Sequence, residues 1–220
     1  MRAALSSVGG EVAGVCIPTT PVAVAAAESA RAALPPVLLG HACRVFVFAA
    51  LHARRAGLAC EAGALFVGAL YANMGLSAAY ARSTVRYELD SADAARALLR
   101  LHGASEPLRD EVWLAIALHT TPGLPARVSP LARVLAQAVS TDLTGSHYYA
   151  YTHRERAGVL ARYPRGAGFG EAVIGAFGRG LAHRPRTTAG TTGADVLDRI
   201  DPDYCRENFC GRILGSPWRD

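Results

Sequence analysis

Proline-led helix starts punctuate this chain, and between them apolar residues recur at helical spacing rather than in alternation. Thr20-Pro21, Ser105-Glu106-Pro107 and Ser129-Pro130 each place a capping residue ahead of a proline, which a helix tolerates only in its first turn. Gly57, Gly75, Gly103 and Pro122-Gly123 supply the matching stops. The pattern predicts helices from Pro21 to just before Pro35, from Pro36 to Arg55, over Cys60 to Met74, and from Asp90 or Ser91 to Gly103. Others follow from Ser105 through Thr120, from Ser129-Pro130 to about Asp142, and over Thr152–Arg162, Gly170–Ala182 and Ala194–Ile200. Ser77 to Leu89 reads as an irregular or partly helical connection, and Arg184 to Thr192 as a mobile loop. Strand signals are nearly absent. The expected fold is all-α: a flexible N-terminal segment over 1–19, then one helical bundle over 20–220.

The chain has 220 residues, 51% hydrophobic and 19% charged, enough for a sizeable core and far from a disordered composition. All 23 basic residues are Arg and none is Lys, which excludes Schiff-base catalysis, a Walker lysine and a lysine general base. The formal charge is +5, but the arginines are scattered among acids with no run beyond pairs such as Arg54-Arg55. Nucleic acid is therefore not an expected partner. No uncharged stretch reaches the roughly 18 to 20 apolar residues of a membrane span, so no membrane is expected either. Glu11 interrupts the apolar N-terminus and no long hydrophobic region follows Arg2, which argues against a signal peptide. Five widely spaced cysteines without a CxxC argue against a disulfide scaffold or zinc knuckle, and a reducing cytoplasm is the expected setting. There is no nucleophile elbow, phosphate loop or zinc helix motif.

The informative pattern is a polar residue in line with each of four apolar helix faces. His41 shares a face with Leu38, Val45 and Phe48; Asn73 with Phe66, Ala69 and Leu70; His119 with Val112, Ala115 and Ile116; Asp142 with Leu135, Ala138 and Val139. Buried polar groups must find partners or cost stability, so these four either satisfy one another or surround a ligand or metal.

Several segments, in order and with preserved spacing, resemble a known family. They are Leu38-Leu39-Gly40-His41, Leu65-Phe66-Val67-Gly68-Ala69-Leu70, Arg86-Tyr87-Glu88-Leu89-Asp90, Ala92-Asp93-Ala94-Ala95 and Ala117-Leu118-His119-Thr120-Thr121-Pro122-Gly123. Ser140-Thr141-Asp142-Leu143-Thr144-Gly145, Asn208-Phe209-Cys210 and Ser216-Pro217-Trp218 follow. Over about residues 36 to 218 the chain resembles the cyanamide hydratase-like branch of the HD-domain superfamily. The resemblance implies a helical bundle in which a first His, an adjacent His-Asp pair and a later Asp hold a divalent metal that activates water against a nitrile-like or phosphate substrate. His41 matches the first His and Asp142 the later Asp, but the pair position reads Ala72-Asn73. Alanine offers no ligand and neutral Asn only a weak oxygen, so tight zinc or iron binding is not expected.

These residues lead to a small-molecule enzyme of lyase, hydratase, isomerase or cyclase type, working without metal. His41 and His119 would serve as proton donor and acceptor, with Asp142 orienting or charge-stabilising one of them. Asn73, Tyr71, Arg86 and Tyr87 would bind substrate. No metal ligands are assigned and no cofactor is expected, a weakly held divalent metal staying open. The alternatives are a residual metal-dependent hydrolase or nitrile hydratase, and a non-catalytic binding protein. A homo-oligomer is left open, as is a lid or contact role for the Tyr148-Tyr149-Tyr151 cluster with His147 and His153; Cys210 is expected to be a buried thiol.

Overall fold

Proline sets where the first long helices begin. In the computed structural model, which describes residues 8–217, α1 (Pro21–Ala33) and α2 (Pro36–Ala56) each carry proline in the first turn, where the missing N–H removes no helical bond. α2 stops at Gly57, whose φ of +64° lies in the left-handed region that glycine adopts without strain. α3 (Ala62–Tyr71) starts on Glu61, whose carboxylate accepts from the N–H groups of Gly63 and Ala64. Then come α4 (Tyr87–Leu101), α5 (Glu106–Leu118), α6 (Pro125–Val128), α7 (Pro130–Thr144), α8 (His153–Arg162), α9 (Phe169–Leu181), α10 (Thr192–Ile200) and α11 (Phe209–Leu214). The described residues thus form an all-α bundle of eleven helices around one core.

α2 lies at the centre, packed against α3 and α7, while α5 packs on α4 and α7. Every residue of α2 from Leu38 to Ala49 is buried, and each Leu or Phe among them contributes roughly 1.5–3 kcal/mol by leaving water. With 21 residues α2 is long and apolar enough to cross a membrane, which the sequence reading did not anticipate; 78% of its most apolar window is buried inside the bundle, as in a core helix. The inner face of α1 is alanine throughout (Ala23, Ala26, Ala27, Ala30), and small side chains let it pack close to α3.

Tertiary packing moves several boundaries. The helix expected over Cys60–Met74 ends at Tyr71 and gives way to a 3-10 turn over Met74–Leu76. Gly75 in that turn lies against α4 so tightly that a methyl group would overlap the Tyr87 carbonyl, and its N–H donates to Ser91 Oγ at 2.8 Å. α4 starts at Tyr87 rather than after Asp90, with Glu88 and Asp90 in its first turn, where acidic groups suit the helix dipole. α10 starts at Thr192, capped by Thr191, and α6 and α11 were not anticipated.

Residues 11–16 form a two-stranded hairpin (β1 Glu11–Val12, β2 Val15–Cys16), turned by Ala13 and Gly14, both with positive φ. Val12, Val15 and Ile17 enter the core, so the described part of the 1–19 segment packs against the helices. Residues 1–7 and Trp218 lie outside the described residues.

The segment 184–192, expected to be a mobile loop, is pinned instead. Arg184 is buried and donates to the carbonyls of Gly180 (3.1 Å), Val85 (3.0 Å) and Gly75 and to Asp90 Oδ2 (2.5 Å), tying α9, the 74–76 turn and α4 together. Thr188 is also buried and shares a hydrogen bond with the Tyr204 hydroxyl. Cys210, expected to be buried, is exposed near the start of α11; Cys43 is the buried thiol, pushed up to about 12 by burial. In the tyrosine cluster Tyr151 is buried and Tyr148 and Tyr149 are exposed.

Candidate functional site

α2 and α7 bring His41 and Asp142 into direct contact: His41 Nδ1 lies 2.7 Å from Asp142 Oδ2. Arg44, one turn after His41, donates to the same carboxylate from Nε (2.8 Å) and Nη2 (3.0 Å), and from Nη1 to the carbonyls of Tyr163 and Pro164, each at 3.3 Å. All three side chains are buried. Burial alone would raise the Asp142 carboxyl, but hydrogen bonds and charge from His41 and Arg44 outweigh it and bring it down to about 2. The carboxylate is therefore ionised at neutral pH, and His41 Nδ1 must be the donor to it. This leaves His41 Nε2, which is buried without a hydrogen-bond partner among the described residues.

His119 closes α5. Its Nδ1 lies 2.6 Å from the Ile116 carbonyl, which can only accept, so Nδ1 carries the proton and Nε2 holds the lone pair in the neutral ring. Burial lowers its pKa, opposed by the Ile116 hydrogen bond and the Glu88 carboxylate, while charge on His41 and Arg86 lowers it further. The Tyr87 ring meets the His119 ring edge-on at 6.1 Å and the Phe177 ring at 5.9 Å. Burial holds the Tyr87 phenol well above its ordinary value, so it keeps its proton, and its hydroxyl has no partner among the described residues.

His119 and Tyr87 line a cavity of about 730 Å³ between the 119–126 loop, α7, α9 and the start of α10. Its wall is mainly apolar, with Val139, Leu143, Phe169, Val173, Ile174 and Phe177, and Gln137 and Ser140 add polar atoms. Size and lining match an ordinary small-molecule site. His41, Asp142 and Asn73 do not line it. The three residues expected to share one cavity are thus divided: His119 faces it, and the His41–Asp142 pair lies behind Phe169, whose ring centroid is 4.8 Å from the Arg44 guanidinium carbon.

The remaining candidates separate in the same way. Tyr87 lines the cavity. Tyr71 does not; its hydroxyl pairs with Ser29 of α1 and the ring packs in the core. Arg86 is held by Glu88 (Nη2 to Oε1, 2.9 Å) and reaches Thr120 at 3.4 Å, which makes it a clamp between α4 and the end of α5. Burial would raise Glu88, but hydrogen bonds from Arg86 and Thr120 hold it below its ordinary value. Asn73 is buried, its Oδ1 unpartnered among the described residues.

The donor set does not fit the divalent metal implied by the resemblance. Asp142 faces His41 and a bidentate guanidinium rather than a common point, and a neighbouring Arg cation opposes a second positive charge. Among the described residues no three His, Cys, Asp or Glu side chains come together as a metal-binding group. Arg44 was missed in the sequence, although the rule that singled out His41 applies to it: it lies three residues on, on the same side of an apolar helix. Of the other basic residues on the cavity wall, His147 belongs to the cluster for which a lid or contact role was left open, and Arg133 carried no sequence signal. No protein-family model matches this chain, and no curated protein sequence matches it.

Proposed function

We propose that this protein binds a small molecule in the 730 Å³ cavity and moves a proton on it through His119, without a metal. One observation carries the reading: the Ile116 carbonyl fixes His119 as the Nδ1–H tautomer, so a neutral imidazole with a free Nε2 lone pair lines a mainly apolar cavity. A neutral imidazole on such a wall suits removal of a proton next to a carbonyl. Such chemistry is of isomerase, lyase or cyclase type. In this reading His41, Asp142 and Arg44 hold α2 and α7 together behind the site, and the resemblance to HD-domain proteins extends to the scaffold alone.

The test is deuterium wash-in, followed by NMR, over a panel of enolisable cyclic ketones and aromatic keto acids in D₂O. Exchange that drops at least about a hundredfold in His119→Gln supports the reading, the usual scale for losing a general base. Exchange in no compound, or exchange untouched by the substitution, overturns it. The second reading is a non-catalytic binding protein, favoured by the separation of the His41–Asp142 pair from the cavity; binding without exchange is its signature.

A further inference from the structure

We propose that the molecule taken by this cavity is an amphipathic anion, with an apolar body among Val139, Leu143, Phe169, Val173 and Phe177 and a carboxylate or comparable acidic head at Arg133 and His147. The inference rests on the cavity being the ligand site. Its basis is the sign of the wall. Among the cavity-lining residues there is no Asp or Glu, whereas Arg133, His119 and His147 are all present. Arg44, Arg55, Arg86, Arg96 and Arg184 each have a carboxylate partner; the arginine on this wall has none among the described residues. Arg133 makes no ion pair or side-chain hydrogen bond with any described residue.

Two further features strengthen that end of the cavity. His52 on α2 lies within electrostatic reach of both His147 and Arg133, and the shared positive charge, added to burial, keeps its ring toward the neutral form. His147 has φ +61°, a left-handed backbone uncommon outside glycine, at the turn that brings it to the cavity wall. A planar guanidinium binds a carboxylate by two parallel hydrogen bonds, and an apolar wall around the remainder selects molecules with a single charged end. Arg133 and His147 are exposed, so a neutral ligand would gain nothing from the guanidinium and a cationic one would be repelled.

A matched dye pair tests this: 1-anilinonaphthalene-8-sulfonate and its uncharged counterpart N-phenyl-1-naphthylamine, which differ by the sulfonate that stands in for the acidic head. Fluorescence titration of the wild type is expected to show the anion binding about tenfold tighter, the scale of one charge-assisted pair at a partly exposed site. Arg133→Gln should bring the two dyes within about twofold by weakening the anion alone, and rising salt should do the same in the wild type. Ser140→Trp, which fills the cavity, should abolish both, with circular dichroism confirming the fold. Equal affinities in the wild type, or a preference that survives Arg133→Gln, overturn the anionic head and leave the cavity reading intact. Dye binding that persists in Ser140→Trp places the dye elsewhere and overturns the proposal. Binding of neither dye to the wild type overturns the cavity reading with it.

Discussion

Replacing Asp142 by Asn keeps the size of the side chain and removes its charge, leaving the buried Arg44 guanidinium with one amide oxygen where it had a bidentate carboxylate. Breaking a buried ion pair from one side typically costs about 3–5 kcal/mol, and the surviving bonds from Arg44 to Tyr163 and Pro164 place this case near the lower end. At pH 6, urea denaturation should show a loss of about 3 kcal/mol, a midpoint shift on the order of 1 M. The loss should also depend on pH. The Asp142 pKa lies at about 2 in the folded protein, from an ordinary value of 3.8, a difference of about 2 kcal/mol at roughly 1.4 kcal/mol per unit. Because the unfolded chain binds the proton more readily, this stability is fully present above the unfolded pKa and is lost as pH falls through the folded one. The gap between wild type and Asp142→Asn should therefore narrow by most of that amount between pH 6 and about 2.5. Replacing Asp142 and Arg44 together by Leu and Met should cost less than Asp142→Asn alone, since no charge stays buried without a counterion. A loss below about 1 kcal/mol at pH 6, or a gap that does not change with pH, would refute the assignment of the trio as a charge-paired unit.

Arg184→Met should destabilise by about 3 kcal/mol or more, because it withdraws donors from three carbonyls and the counterion from Asp90; a near-wild-type urea midpoint would show that the 184–192 segment is not pinned as described. His119 should titrate below 6.5 when its ring signals are followed by NMR. Since its folded pKa lies below the unfolded value, its contribution to stability is present above pH 6.5 and lost as pH falls through the folded pKa; a midpoint at or above 6.5 contradicts its burial in the neutral form.

Much of the fold was legible because helix signals are local. Pro21, Pro36 and Pro130 start helices and Gly57 and Gly103 end them through φ restrictions that need no distant partner. The errors fall where distant packing overrides local preference. Gly75 reads as a plain stop, yet it is the point at which the backbone of α4 presses on the 74–76 turn, and this ends α3 early and lets α4 begin at Tyr87. Arg184 lies in a stretch rich in Pro, Thr and Gly, and nothing local distinguishes an arginine that reaches four backbone and carboxylate partners from one in water.

The sequence by itself determined that the chain is a helical bundle and that His41, His119 and Asp142 point inward, because helix periodicity assigns a face to every residue without reference to any other helix; Asn73 is buried too, but in the turn after α3 rather than on its face. Which inward residues meet was decided only by the tertiary structure. Periodicity carries no information on how two helices are rotated and shifted against each other, and that geometry pairs His41 with Asp142 and Arg44 while leaving His119 and Tyr87 to line the cavity.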